Sequence, residues 1–247
     1  DVAHDDDRYR CPPGGFPPGQ VGVAPLLAAR SGAPVVVCAD RSAAVAHLLE
    51  ETGCDIVVTD DGLQHYALAR DVEIAVVDGE RGLGNGRCLP AGPLREAPDR
   101  LAQVDIVVVN GDAGDGFPDA VTMAVRPVRF HTLDGREALD TAAFARRFPS
   151  VHAVAGIGNP GRFAATLAEA GVHAEVYAYP DHHGYDGSEV DFDDDRPVVV
   201  TEKDAVKLRR LDVEAEVWWL EVEVVLPEAA IARVVEVLRK HGILHHE

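Results

Sequence analysis

Ile56-Val57-Val58-Thr59-Asp60-Asp61-Gly62-Leu63-Gln64-His65 is the stretch on which the reading of the fold turns. An apolar, β-branched run ends on two adjacent carboxylates and a glycine. Acids at the carboxyl end of a buried parallel strand are where α/β proteins place catalytic carboxylates or magnesium ligands. Asp-Gly is also ordinary turn chemistry. The strand in front and Gln64-His65 behind favour the functional reading.

Working outward, apolar runs recur. Pro34–Cys38, Asp55–Thr59, Glu73–Asp78 and Asp105–Asn110 read as four strands. Continuous Val/Ile without polar alternation marks strands buried on both faces of a parallel sheet. Leu26–Arg30 reads as helical, and Arg41–Thr52 as an amphipathic helix stopped by Gly53. Strands alternating with helices predict βαβ units and a doubly wound α/β sheet. Beyond Asn110 the texture changes. Val121–Leu133 reads as one or two strands leading into a second unit. Further strands follow at Val151–Gly156, Ala174–Tyr179, Pro197–Val200 and Val217–Val225. Helices are expected at Arg162–Ala170 and Pro227–His241, the latter started by Pro and stopped by Gly242.

The 247 residues carry a formal net charge of −19, with Lys only at 203, 207 and 240. So acidic a chain argues against nucleic acid as a partner, because phosphate binding needs a basic surface. No apolar run approaches the roughly 18–20 residues of a membrane span, and no secretory signal is visible. The four cysteines lack metal-ligand spacing, so reduced thiols are expected. Residues 10–20 are rich in Pro and Gly, and 1–20 are expected to be poorly ordered.

Four further segments carry chemistry-bearing residues. Gly79–Arg100 is a long glycine-rich loop holding Asn85, Arg95 and Glu96, whose donors and acceptors suit a ligand approached by backbone. Pro180-Asp181-His182-His183 follows a strand, and adjacent histidines there suit metal ligation or acid/base work, with a plain surface pair the equal alternative. Thr201-Glu202-Lys203-Asp204 offers an N-cap at Thr201, with Lys203 either functional or one of the helix's surface charges. Gly156-Ile157-Gly158-Asn159-Pro160-Gly161 is a strand-to-helix turn, either structural or a place for an anion.

In this order and spacing, DDGLQHYALARDVEIAVVDGERGLGNGRCLPAGPLRE, RLAQVDIVVVNG, AVAGIGNPGRF, YPDHH and TEKDAVK resemble the tetraacyldisaccharide 4'-kinases, lipid A biosynthetic kinases of Gram-negative bacteria. The matching stretches cover roughly residues 21–225. The resemblance implies a P-loop-kinase-like parallel sheet, its N-terminal part missing here, with a second, smaller α/β domain. On that pattern residues 1–109 form a partial nucleotide-binding domain and 110–222 a smaller substrate domain with a strand linker. Residues 223–247 are a C-terminal helix returning to the first domain. The implied reaction moves the ATP γ-phosphate to the 4'-hydroxyl of tetraacyldisaccharide 1-phosphate, giving lipid IVA. It uses Mg²⁺ and works at the cytoplasmic face of the inner membrane, to which the protein is peripheral.

The resemblance also assigns residues. Asp60 and Asp61 look like the Walker B acids and metal ligands. Gln64 and Glu96 fall on the nucleotide side, and His65, Asn85, Arg95 and Lys203 on the substrate side. Asp61, His182 and His183 are the catalytic candidates, with His183 favoured by spacing. Two family features are absent from these residues. No Walker A sequence of the GGTGKT kind occurs, and Gly22-Val23-Ala24-Pro25 stands where the family has Gly-Asp-Glu-Pro, whose Asp is the base. Truncation or frame disruption of the N-terminus is expected, with little kinase activity. A non-catalytic acyl-disaccharide-binding protein is the alternative.

Overall fold

The computed structural model describes residues 9–10, 28, 31–181 and 183–244. The chain is α/β and divides into two compact units. One comprises Asp1–Thr52 with Arg126–Glu223, the other Gly53–Val125 with Val224–Glu247. The boundary expected after residue 109 falls at the end of a strand. Val121–Met123 pair in parallel with Val108–Asn110, which carries the second unit's sheet on to Val125.

In the first unit, β1 (Tyr9–Arg10) and β2 (Val36–Val37) form a two-residue antiparallel ladder, and α1 spans Arg41–Thr52. Pro34–Cys38 was expected in the parallel sheet. Instead Val36 and Val37 pair outside it, and α1 buries no residue. Of residues 1–20, expected to be poorly ordered, Tyr9–Arg10 are described and the rest lie outside the described residues, as does Leu26–Arg30 apart from the helical Ala28.

The remainder of this unit holds its two cores. It contains the end of β5 (Val121–Thr132), β6 (Ala138–Asp140), α2 (Thr141–Arg147), β7 (Ser150–Ala155) and α3 (Pro160–Glu169). It continues with β8 (His173–Ala178), β9 (Val198–Thr201), α4 (Glu202–Leu208) and β10 (Val217–Val225). Strands β8, β7, β9 and β10 are neighbours in that order, all parallel. Both faces of this sheet are covered. On one, Val151, Ala153, Ala155, Val199 and Trp218 pack with Phe144 of α2 and Leu167 of α3. On the other, Val154, Val198, Val200 and Trp219 pack with Ala205 and Leu208 of α4. Strand-type alternation between two cores is why these valine runs carry no polar face. Asp140, Asn159 and Thr201 cap α2, α3 and α4 by accepting N–H bonds from Ala143, Arg162 and Asp204.

In the second unit, β3 (Ile74–Asp78), β4 (Ile106–Asn110) and the start of β5 lie side by side in parallel. Helix α5 (Glu228–Lys240) contributes Val237 and Val234 to a small core with Ile106, Val108 and Met123. Ile74 and Val76 pair with Ile106 and Val108 and share their face, yet remain 42 % and 64 % exposed. The expectation that β3 is buried on both faces therefore fails. So does the expected strand over Asp55–Thr59. Those residues make no ladder, β3 stands at the sheet edge, and Val58 is 90 % exposed. A strand needs a partner for its backbone groups, and none of the described residues supplies one here. No described helix is long and apolar enough to cross a membrane.

Candidate active site

The acidic run occupies a turn in the second unit rather than a strand end. His65 N–H closes it on Gly62 O, 3.0 Å away. Asp61 takes a left-handed backbone (φ 49°), which Asp tolerates better than most residues. Arg70 holds the turn from below: its Nη1 donates to the carbonyls of Gly62 (3.1 Å) and His65 (2.9 Å), while its Nε donates to Glu73.

Arg95 and Glu96, 30 residues on, fasten the same turn from the other direction. Arg95 Nη1 donates to both Asp61 oxygens, at 2.7 and 2.8 Å, and lies 3.3 Å from Gln64 Oε1. Glu96 accepts from Gln64 Nε2 at 2.6 Å and from the Tyr66 hydroxyl. Those two hydrogen bonds hold the Glu96 carboxyl below the usual glutamate range, and the carboxylate pushes the Tyr66 phenol up. Arg100 links Glu96 (3.4 Å) to Glu73 (2.7 Å). Tyr66, Glu73, Glu96, Asp99, Arg100 and Gln103 line a groove of about 400 Å³. The structure thus brings together Asp61, Gln64, Arg95 and Glu96 from the sequence-derived set. Tyr66, Glu73 and Arg100 were missed, since nothing in their spacing marks them.

Asn85 turns inward on its own loop. Its Nδ2 donates to Ala91 O and its Oδ1 accepts from Arg87 N. That oxygen lies where a Cβ on residue 92 would go, so glycine is required there. Asn85 shapes the loop in this conformation, and what it offers a ligand is the loop's shape.

Asp60 and Asp61 are exposed oxygen donors on one turn, and an arginine already holds a positive charge against Asp61. Mg²⁺ takes one or two carboxylates and keeps phosphate and water oxygens for its other positions, so Asp60 and Asp61 have the right chemistry. A metal on Asp61 would have to share or displace the Arg95 contact. Among the described residues no three His, Cys, Asp or Glu side chains converge as a self-sufficient metal site. Cys38, Cys54 and Cys88 form no disulfide with one another, and Cys11 lies outside the described residues.

In the first unit, β7, β8 and β9 end at the same edge of the sheet, where open α/β folds bind ligands. His183 follows β8. Its Nε2 lies 2.6 Å from Glu189 Oε1, and its ring stacks on Tyr179. Glu189 is nearly buried and its other oxygen accepts the N–H groups of Asp186 and Gly187. Burial pulls its pKa up, but the His183 and backbone bonds more than offset that and leave it lowered. Glu189 was not singled out in the sequence, and only the turn at Gly187 carries it back to the imidazole. His182 lies outside the described residues. Lys203 is engaged with Asp181, at 2.9 Å.

The tetraacyldisaccharide-1-P 4'-kinase (LpxK) family model matches residues 5–239. The chain belongs to that family. Its relatives include the tetraacyldisaccharide 4'-kinases of Hahella chejuensis (49 % identical, 88 % of this chain and 63 % of the relative) and Alkalilimnicola ehrlichii (52 % identical, 83 % and 61 %). The chain therefore spans about three-fifths of the length of these two relatives. The crystal structure of LpxK from Aquifex aeolicus in complex with ATP aligns with a TM-score of 0.64 at 24 % identity, covering 89 % of this chain and 69 % of that one. At that identity the likeness speaks for the fold: the LpxK α/β architecture extends over these residues.

Proposed function

We propose that this chain serves the transfer of the ATP γ-phosphoryl group to the 4'-hydroxyl of tetraacyldisaccharide 1-phosphate, the lipid A step that yields lipid IVA. The observation that carries the reading is the Asp60–Tyr66 turn held rigid by Arg95 and Glu96, in a chain of this family. Phosphoryl transfer asks a protein chiefly for positioning and charge stabilisation. Asp60 and Asp61 would hold Mg²⁺, which offsets the charge that builds on the transferring phosphoryl group. Gln64 and Glu96 fix that turn on the nucleotide side. His183, oriented by Glu189, supports proton removal from the acceptor hydroxyl, and His182 remains its competitor. His65, Asn85, Arg95 and Lys203 shape or contact the acceptor side. With an acylated acceptor and ATP as donor, the proposed place of work is the cytoplasmic face of the inner membrane, with the protein peripheral to it.

The 247 residues contain no Gly-x-x-x-x-Gly-Lys-Ser/Thr, the loop that cradles phosphates in such kinases. The chain by itself is therefore proposed to bind acceptor and to turn over poorly. The same observation favours, as a second reading, a binding protein for the acyl-disaccharide without catalysis. Radiolabel transfer from γ-³²P ATP to tetraacyldisaccharide 1-phosphate in micelles, run beside direct acceptor binding, tests both. Binding with faint label dependent on Asp61 supports the kinase reading, and binding with no label above the enzyme-free control supports the second. No acceptor binding sinks both. Turnover matching the Hahella chejuensis relative would retain the function and remove the impairment.

A further inference from the structure

Three of the sequence segments meet at one buried point in the first unit. Gly156 opens the GIGNP turn after β7, His183 closes the PDHH segment after β8, and Asp204 and Lys207 belong to TEKDAVK on α4. A Cβ added to Gly156 would lie 2.8 Å from Tyr185 Oη, 3.2 Å from Asp204 Oδ1 and 3.3 Å from His183 Cβ. Glycine is what lets these groups approach.

Asp204 is 0 % exposed. A buried carboxylate is costly unless charge and hydrogen bonds compensate it. Here Gly156 N–H donates at 3.1 Å, the Thr201 hydroxyl donates at 2.7 Å, and the Lys207 ammonium stands 3.3 Å away. The Asp204 amide in turn donates to Thr201 Oγ1. Lys207 then passes the tether on. Its ammonium donates to the carbonyl of His183 at 3.1 Å and lies 5.3 Å over the Tyr185 ring. On the far side of the same loop Lys203 grips Asp181. Burial, and then the Asp204 charge, push the Tyr185 phenol well above its ordinary value, so it stays neutral beside the carboxylate.

The geometry points to Asp204 and Lys207 as a positioning pair that sets His183 against the ends of β7 and β9. An N-cap needs only Thr201, and a helix end needs no buried ion pair. The ammonium on the loop carbonyl is what the pair adds. This deepens the proposed function only in supposing that His183 acts there.

The test is the imidazole carbon and nitrogen shifts of His183 in the isotope-labelled chain, assigned by their loss in His183→Gln. The unaltered chain is expected to show one fixed state with Nε2–H donated to Glu189. Lys207→Met is expected to fold, by circular dichroism, yet to give the averaged shifts of a free imidazole, and Lys207→Arg to restore the fixed ones. Unchanged shifts in a folded Lys207→Met overturn the proposal. Should Lys207→Met fail to fold, Asp204→Asn with Lys207→Met removes both charges together; native shifts in that folded double variant overturn it equally, and averaged shifts support it. Unfolding of the double variant as well would overturn it, because the pair would then be serving stability. None of these readouts needs phosphate transfer, so failure of the proposed reaction is seen separately, in the label assay.

Discussion

The valines of β9 and those of β3 look alike in sequence and end up in opposite environments. Val198, Val199 and Val200 alternate between two cores, each closed by a helix, and all are buried. Ile74 and Val76 share a face with Ile106 and Val108, but α5 covers only the latter two. An apolar strand states that it can be buried; whether it is depends on an element from elsewhere in the chain reaching it. The two candidate regions inherit this difference. The histidine loop is fixed to a covered sheet by buried groups, whereas the acidic turn is fixed by a partly exposed network of arginines and carboxylates.

The largest effect that would break this comparison lies in the first unit. Trp218 is fully buried, edge-on to Phe144 and beneath Arg147. Trp218→Ala is expected to cost about 3–5 kcal/mol, read by urea unfolding. A loss below about 1 kcal/mol would mean the first unit's core is packed as loosely as the exposed face of β3. Next, Glu96→Gln should leave global stability nearly unchanged while loosening the acidic turn, since exposed ion networks contribute little to folding. Hydrogen exchange at His65 and Leu68, whose amides close the turn, should rise several-fold. Equal protection in both proteins would show that Arg70 suffices.

A third expectation concerns acid. Because the folded pKa of Glu189 is lowered, its contribution is present in full at neutral pH. It disappears as pH falls from the ordinary value of about 4.3 through the lower folded one. The amides of Asp186 and Gly187, which donate to Glu189, should lose protection in that window before the β7 amides do. Simultaneous loss would mean the loop opens only with the whole unit. The smallest effect is at the sheet edge. Val76→Thr should change stability by no more than about 0.5 kcal/mol, while Val76→Asp with Val58→Asp reduces binding of a hydrophobic dye. Dye binding unaffected by that pair would place the exposed apolar surface elsewhere.

Much of the architecture was legible because period and punctuation agree with packing. Arg41–Thr52 and Val217–Val225 have the expected ends, and α5 begins after Pro227 and stops before Gly242. Asp55–Thr59 misled because β-branched composition describes a side-chain preference and supplies no neighbouring strand. Within the candidate regions, Asp61, Gln64, Arg95 and Glu96 were recognised by the segments that contain them, yet their mutual pairing was not visible in spacing of 30 residues or more. Glu189 and Lys207 were invisible as contacts for the same reason: each acts through the path of the chain.

By itself the sequence determined that this is an α/β chain of the tetraacyldisaccharide 4'-kinase family, with its acids, histidines and glycine loop in order. These are properties of local composition and spacing. Only the tertiary structure decided which of those side chains meet, that Arg95 faces Asp61, that Gly156, His183, Asp204 and Lys207 share one point, and which valine runs are covered. Contacts between distant segments depend on how sheets and helices pack, and burial is a property of the neighbours a residue acquires rather than of the residue.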